Sequence, residues 1–327
     1  MASPHFMLTL FHQLFNTFID STGDGPLLAR AHQLLQKESA QTDNILLLVP
    51  ITLGITLDIL IRYVVSHVLM SILILETVEK QATASKKPPS SRQLLRTVAI
   101  IYRKGGLRFL LNGIGSAYTY WAMHSSVVKL SSFLLPSPVA YIVTSVLLAE
   151  THFFWTAYTI LPRDQVRLMP KPRDCQRWKA LVIPALIYAA ANTVMTYVPA
   201  LFEDSLAPPE AVAIVGLSYI VGSDILIAGF MLFAQLFLLL PSYMVLVLVQ
   251  ASLLPPNCET LVFTRQQQRG KRVGEIFSVK GGPLQVQEAV QMITVARMLC
   301  CLELHGKMCL CLVGVAAVVH AVAYSMT

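Results

Sequence analysis

The sequence predicts an all-α polytopic membrane protein with about six transmembrane helices, set out as three hairpin-like pairs joined by short surface helices. Three observations carry this. The 327 residues are 55% hydrophobic and 13% charged, with a mean hydropathy of +0.61, whereas an ordinary soluble domain is about a quarter charged. Several apolar runs exceed the ~18 residues that argue for a bilayer span. These runs do not alternate and outlast barrel strands, so helices must satisfy the backbone inside lipid. The basic residues fall between the runs, and the net charge of +7 therefore reads as topology rather than as a nucleic-acid surface.

Residues 1–43 read as an N-terminal interfacial or flexible segment, because HFMLTLFHQLF is too short to span. It has no basic leader and no small-residue cleavage site, so a cleaved secretory signal is not expected. Residues 44–327 read as one helical transmembrane domain. The first span, Asn44–Leu75, carries Asp58 and Arg62 at i and i+4, where opposite charges on one helical face offset each other's desolvation. Glu76 follows at its end. Residues 79–108 then turn basic, and SSRQLLRTVAIIYRKGG reads as an amphipathic surface helix ending in a Gly105-Gly106 turn.

Residues 110–135 form a less apolar helix holding Tyr118, Tyr120, Trp121 and His124, so one side should face protein or water. The turn Pro136-Ser137-Pro138 makes the next helix its antiparallel neighbour. That helix contains Glu150 and His152 and ends at Pro162, which cannot donate a backbone hydrogen bond. Asp164 and Arg167 follow one turn apart as an expected ion pair. A second basic stretch, 163–179, leads to the span Ala180–Leu201, which carries Asn192. The block Ala211–Leu254, broken by Asp224 and Pro241, is overlong for one span yet lacks a loop to make two. A third basic loop, 265–280, precedes a final span near Met308–Ala323. The three basic stretches fall on one side, with both termini and the acidic 203–210 loop on the other.

The six cysteines show no zinc-ligand spacing, and no phosphate-binding, dinucleotide or hydrolase motif occurs, so neither a metal nor a cofactor is expected.

This layout, with candidate repeats 44–135, 138–202 and 211–325, resembles the mitochondrial carrier family. Pro162-Arg163-Asp164-Gln165-Val166-Arg167 fits that family's P-x-[DE]-x-x-[KR] motif, and Ile101–Gly115 resembles the stretch leading into its next span. The resemblance implies a mitochondrial inner-membrane transporter of a small solute, with Pro162, Asp164 and Arg167 as one gate element. The equivalent positions elsewhere, Val68, Met70 and Leu73, and Pro241, Tyr243 and Leu246, lack the charges, so the gate is degenerate. A substrate path would run past Asp58, Arg62, His124, Glu150, Asn192 and Asp224. Segments such as Ala251–Phe263 and Leu302–Met326 also resemble a group of filamentous-fungal polytopic membrane proteins. That resemblance implies an alternative: an endomembrane enzyme of specialised metabolism, of terpenoid epoxide cyclase or isomerase type. Asp58, Glu76, Glu150 and Asp224 would then be candidate acids, acting on a lipid-soluble substrate. A non-transporting scaffold is the third reading. The expected partners are the lipid bilayer and a small-molecule or lipid-soluble substrate.

Overall fold

The computed structural model describes residues 45–82, 94–170, 173–205, 226–227, 229–263, 270–277 and 283–325. The first apolar run forms α1 (Ile45–Arg62), a π-helical turn (Tyr63–Leu69) and α2 (Met70–Ala82) without a break. Two short helices, α3 (Leu94–Gly105) and α4 (Leu107–Leu110), lead to α5 (Ile114–Ser131). Next come α6 (Ser137–Leu147), α7 (Ala149–Ile160) and the long α8 (Cys175–Ser205). A second π-helical turn (Gln235–Leu239) runs into α9 (Leu240–Ser252). The hairpin β1 (Glu259–Phe263) and β2 (Gly270–Arg272) follows, then α10 (Val273–Ile276), α11 (Val286–Met292) and α12 (Val295–Ser325). The chain is mostly helical, as expected. The antiparallel hairpin, paired Glu259 to Arg272 and Phe263 to Gly270, is an addition the sequence reading placed in a basic loop.

Among the described residues four helical stretches are long and apolar enough to cross a bilayer: Thr52–Val78, Cys175–Val198, Gly229–Ser252 and Val295–Val319. The pair α6–α7, bent by 62°, makes a fifth if it counts as one span. The expected six is not reached on this measure, because Ile114–Ser131 is too polar to qualify. The last helix begins at Val295, earlier than the Met308 expected. Arg297, Glu303, His305 and Lys307 had masked it; Lys307 donates to Glu303 at 2.7 Å, so their charges largely cancel along one face. Within the described residues the Ala211–Leu254 block supplies one crossing, and Asp224 lies outside them. The 1–43 segment also lies outside. The amphipathic helix α3 turns its apolar side, with Thr97 and Ile101 buried, onto the protein core rather than onto lipid.

Pairwise contacts fix the layout. Helix α12 runs antiparallel to α1: Val319 lies against Gly54, and Ser66 Oγ donates to Met308 Sδ at 2.9 Å. The two ends of the described chain therefore lie together. Helix α8 packs antiparallel against α6, with Trp178 Nε1 donating to the Val146 carbonyl at 3.1 Å, and also against α9. At the basic end Leu73–Leu75 and Met244–Ala251 are fully enclosed. Cys258, Leu261, Val262, Val273, Ile276 and Phe277, from the hairpin and α10, share the same core. Burial pushes the Cys258 thiol above its ordinary range, so it should alkylate more slowly than the exposed Cys175.

One glycine is demanded by this arrangement. Gly113 caps α5 at φ +77°, and a Cβ there would sit 2.8 Å from Thr159 Oγ1 and 3.0 Å from its backbone nitrogen. Gly113→Ala combines a left-handed backbone with a clash against α7, so it should cost roughly 2 kcal/mol. A thermal midpoint of the purified protein indistinguishable from wild type would contradict this contact.

Candidate functional site

Pro241 shapes the site before any polar residue does. Its ring displaces the carbonyl four residues back and it has no N–H to donate, and the helix answers with the π-helical turn Gln235–Leu239 immediately before α9. The other π-helical turn, Tyr63–Leu69, lies across from it on the first span. Such turns widen a helix by one residue and are common at functional sites. Both contribute to one crevice of about 130 Å³, lined by Ser66, His67 and Met70 on one wall and Gln235, Leu236, Leu239, Leu240 and Tyr243 on the other. Tyr188 of α8 and Leu302 and His305 of α12 complete it.

The crevice exists because two helix pairs diverge. Near the basic end α2, α7 and α9 pack together, and Ser71 Oγ lies 3.2 Å from Tyr243 Oη. Beyond that level the Gln235–Leu239 turn stays with α8, while α12 stays with α1. Gln235 Nε2 bridges the gap to His305 Nε2 at 2.6 Å. In this placement the amide N–H donates and the imidazole Nε2 accepts.

His67 stands at the centre of an aromatic array, its ring 4.5 Å from Trp155 and 6.5 Å from Tyr243, centroid to centroid. Among the described residues neither its ring nitrogens nor the Tyr188 hydroxyl has a hydrogen-bond partner. Both side chains are half-buried and line the crevice, so their polar atoms are open to a ligand that enters it. Behind Trp155 the array continues, with Trp155 Nε1 and Gln250 Oε1 buried and without a hydrogen-bond partner among the described residues. Tyr120 stacks on Trp155 at 5.5 Å, and Gln250 Nε2 donates to His152 Nδ1 at 2.9 Å. Ser145 Oγ donates to the Tyr141 carbonyl, so His124 Nε2, 2.9 Å away, must donate to Ser145.

The residues proposed from sequence are scattered. Asp58 and Arg62 form their i,i+4 pair at 2.7 Å, as expected, but do not line the crevice. Glu76 is buried beyond it, towards the basic end. Glu150 is tied to the start of α8, accepting from the Arg173 and Asp174 backbone N–H groups at 2.8 and 3.2 Å and from the Arg177 guanidinium. Asn192 donates to Tyr141 Oη, and His124 packs against the same Tyr141 ring. The structure thus joins His124 with Asn192 through Tyr141, and brings neither to Asp58 or Glu150. Pro162 follows α7 in a loop, and Asp164 and Arg167 are exposed; the expected ion pair between them is not formed, and the Asp164 carboxylate accepts from Gln165 instead. A short 3-10 turn, Gln165–Leu168, replaces the helix end that would have set the two charges one turn apart on a face.

Sequence reasoning missed His67, Tyr188, Gln235, Tyr243 and His305. It weighed charges in apolar runs and passed over neutral polar side chains. The signal was present: His67 and Gln235 interrupt strongly apolar text, and an amide or imidazole in lipid also carries a desolvation cost. No protein-family model, curated protein or solved structure matches this chain.

Proposed function

We propose that this chain is an integral membrane enzyme that holds a small lipid-soluble molecule in the crevice and rearranges it by proton transfer, as an isomerase or cyclase of terpenoid type would. The observation that carries the reading is the pair of unpartnered groups, the His67 imidazole and the Tyr188 hydroxyl, in an otherwise apolar and aromatic crevice between diverging spans. Ligand sites have this character: mostly apolar walls with a few converging polar groups. His67 would accept a proton from the substrate and Tyr188 would supply one, so the exchange leaves substrate and product isomeric. The Tyr188 and Tyr243 rings, 5.7 Å apart, offer π-faces to positive charge developing between those steps. The acid role assigned from sequence to Asp58 and Glu150 passes to these groups, because both carboxylates are already committed to arginine partners. In this reading Ile114–Ser131 is a sixth, polar-faced crossing, and the protein resides in the endoplasmic reticulum or another endomembrane.

Microsomes containing the full chain, incubated with prenylated epoxides and polyene isomers, should give isomeric products absent from control microsomes. No turnover of any such substrate counts against the enzyme reading. One observation favours carrier-like transport in the mitochondrial inner membrane as a second reading: the helices are closed at the basic end and splayed beyond it, as in a protein accessible from one side. Uptake of a solute by liposomes holding the purified chain, without chemical change, would select it.

A further inference from the structure

Resting on the proposed use of this crevice, we infer that its ligand is a neutral, single-headed lipid-soluble molecule, such as an alcohol, carbonyl or epoxide on a long apolar chain. Its head takes the place of the Gln235–His305 hydrogen bond.

One polar pair bridges the crevice wall. Gln235 and His305 meet across the divergence between the Gly229–Ser252 span and α12, and Leu236, Leu239, Leu240, Met70 and Leu302 supply apolar wall. The outward faces of those two helices expose Leu232, Phe233, Phe237 and Leu238 on one and Leu299 and Leu310 on the other. A molecule crossing between them passes from hydrocarbon to hydrocarbon, and gives up its polar interactions only at its head.

Charge decides between a neutral and an anionic head. The charges nearby are already paired: Arg62 donates through Nε to Asp58 at 2.7 Å. Lys307, two residues along α12, is held by Glu303 at 2.7 Å. An anionic head would have to break one of these pairs and leave a carboxylate without its partner in a low-dielectric site. A neutral head needs only one donor and one acceptor, and parting Gln235 from His305 releases both. The amide keeps its N–H and the imidazole keeps its Nε2 lone pair.

The test uses the full chain in nanodiscs and three photoreactive diazirine probes of equal chain length: a prenyl-like alcohol, the matching carboxylic acid and the matching hydrocarbon. The alcohol should label peptides from Gly229–Ser252 and Val295–Val319, saturably and at least about fivefold more strongly than either other probe. The double variant Gln235→Leu/His305→Leu should lose about tenfold of that labelling, whereas His305→Gln, which keeps a hydrogen-bonding side chain, should retain most of it. Leu239→Trp fills the crevice without touching the polar pair and should also abolish labelling. Preferential labelling by the acid, or labelling by the alcohol that survives the double leucine variant, overturns the neutral-head assignment while leaving the crevice as a ligand site. Absence of saturable labelling of these two helices by any probe overturns the crevice reading itself, and this inference with it.

Discussion

Replacing His67 with alanine should lower turnover of the intramembrane substrate by about 10²–10⁴-fold, the usual contribution of a positioned acid–base group. The expectation follows from position rather than residue type. His152 and His305 each lie within hydrogen-bonding distance of a glutamine amide nitrogen, and His124 of the Ser145 hydroxyl. His67 alone among these four has its ring nitrogens unpartnered among the described residues, and it lines the crevice. A structural imidazole would act through Trp155, 4.5 Å away, and its loss would shift tryptophan emission without a change in pH profile. A catalytic one moves the limb of the pH–rate profile set by the base, and lowers kcat more than it raises KM. Tyr188→Phe should reproduce the loss on the opposite limb. Wild-type kcat in His67→Ala, with folding intact, would remove His67 from the chemistry.

Arg177→Met should destabilise the fold by roughly 3–5 kcal/mol, the range for breaking a buried ion pair by removing one partner. The Arg177 side chain is only 4% exposed and Glu150 18%. The guanidinium also lies 5.2 Å from the Phe153 ring centre and 5.3 Å from that of Phe154. Glu150 sits just past the 62° bend between α6 and α7, so one carboxylate oxygen joins the bend, the Arg173–Asp174 backbone and the first turn of α8. Arg177→Lys should rescue little, since an ammonium cannot lie flat against aromatic rings while reaching the carboxylate. The double variant Glu150→Gln/Arg177→Met should be less destabilised than the two single losses added together, because no charge is left unpaired. Melting in detergent, followed by tryptophan fluorescence, decides the matter, and strict additivity would mean that the two side chains do not act as a pair.

The apolar runs and their helical state in the described residues follow from composition and order alone. Lipid offers the backbone no partner, so any long apolar run must form a helix, and the Asp58–Arg62 pair is fixed by the pitch of that helix. The end of the chain was harder to read, because α12 carries opposite charges at Glu303 and Lys307 that count against a span residue by residue yet cancel as a pair. The π-helical turn before Pro241 has a local cause, but its consequence does not: widening the Gly229–Ser252 helix matters only because Tyr63–Leu69 lies opposite. The site is of the same kind. His67, Tyr188, Gln235 and His305 come from four helices spread over most of the chain, and each is unremarked text until the divergence of two helix pairs puts them around one space. The motif Pro162–Arg167 shows the converse: its spacing promised an ion pair on a helix, but the backbone there leaves α7 for a loop and a 3-10 turn, and the two charges remain in the open. What the sequence by itself determined was the solvent of each segment, since hydropathy and charge act residue by residue. Which side chains meet was decided only by tertiary structure, because that depends on how whole helices cross, bend and part.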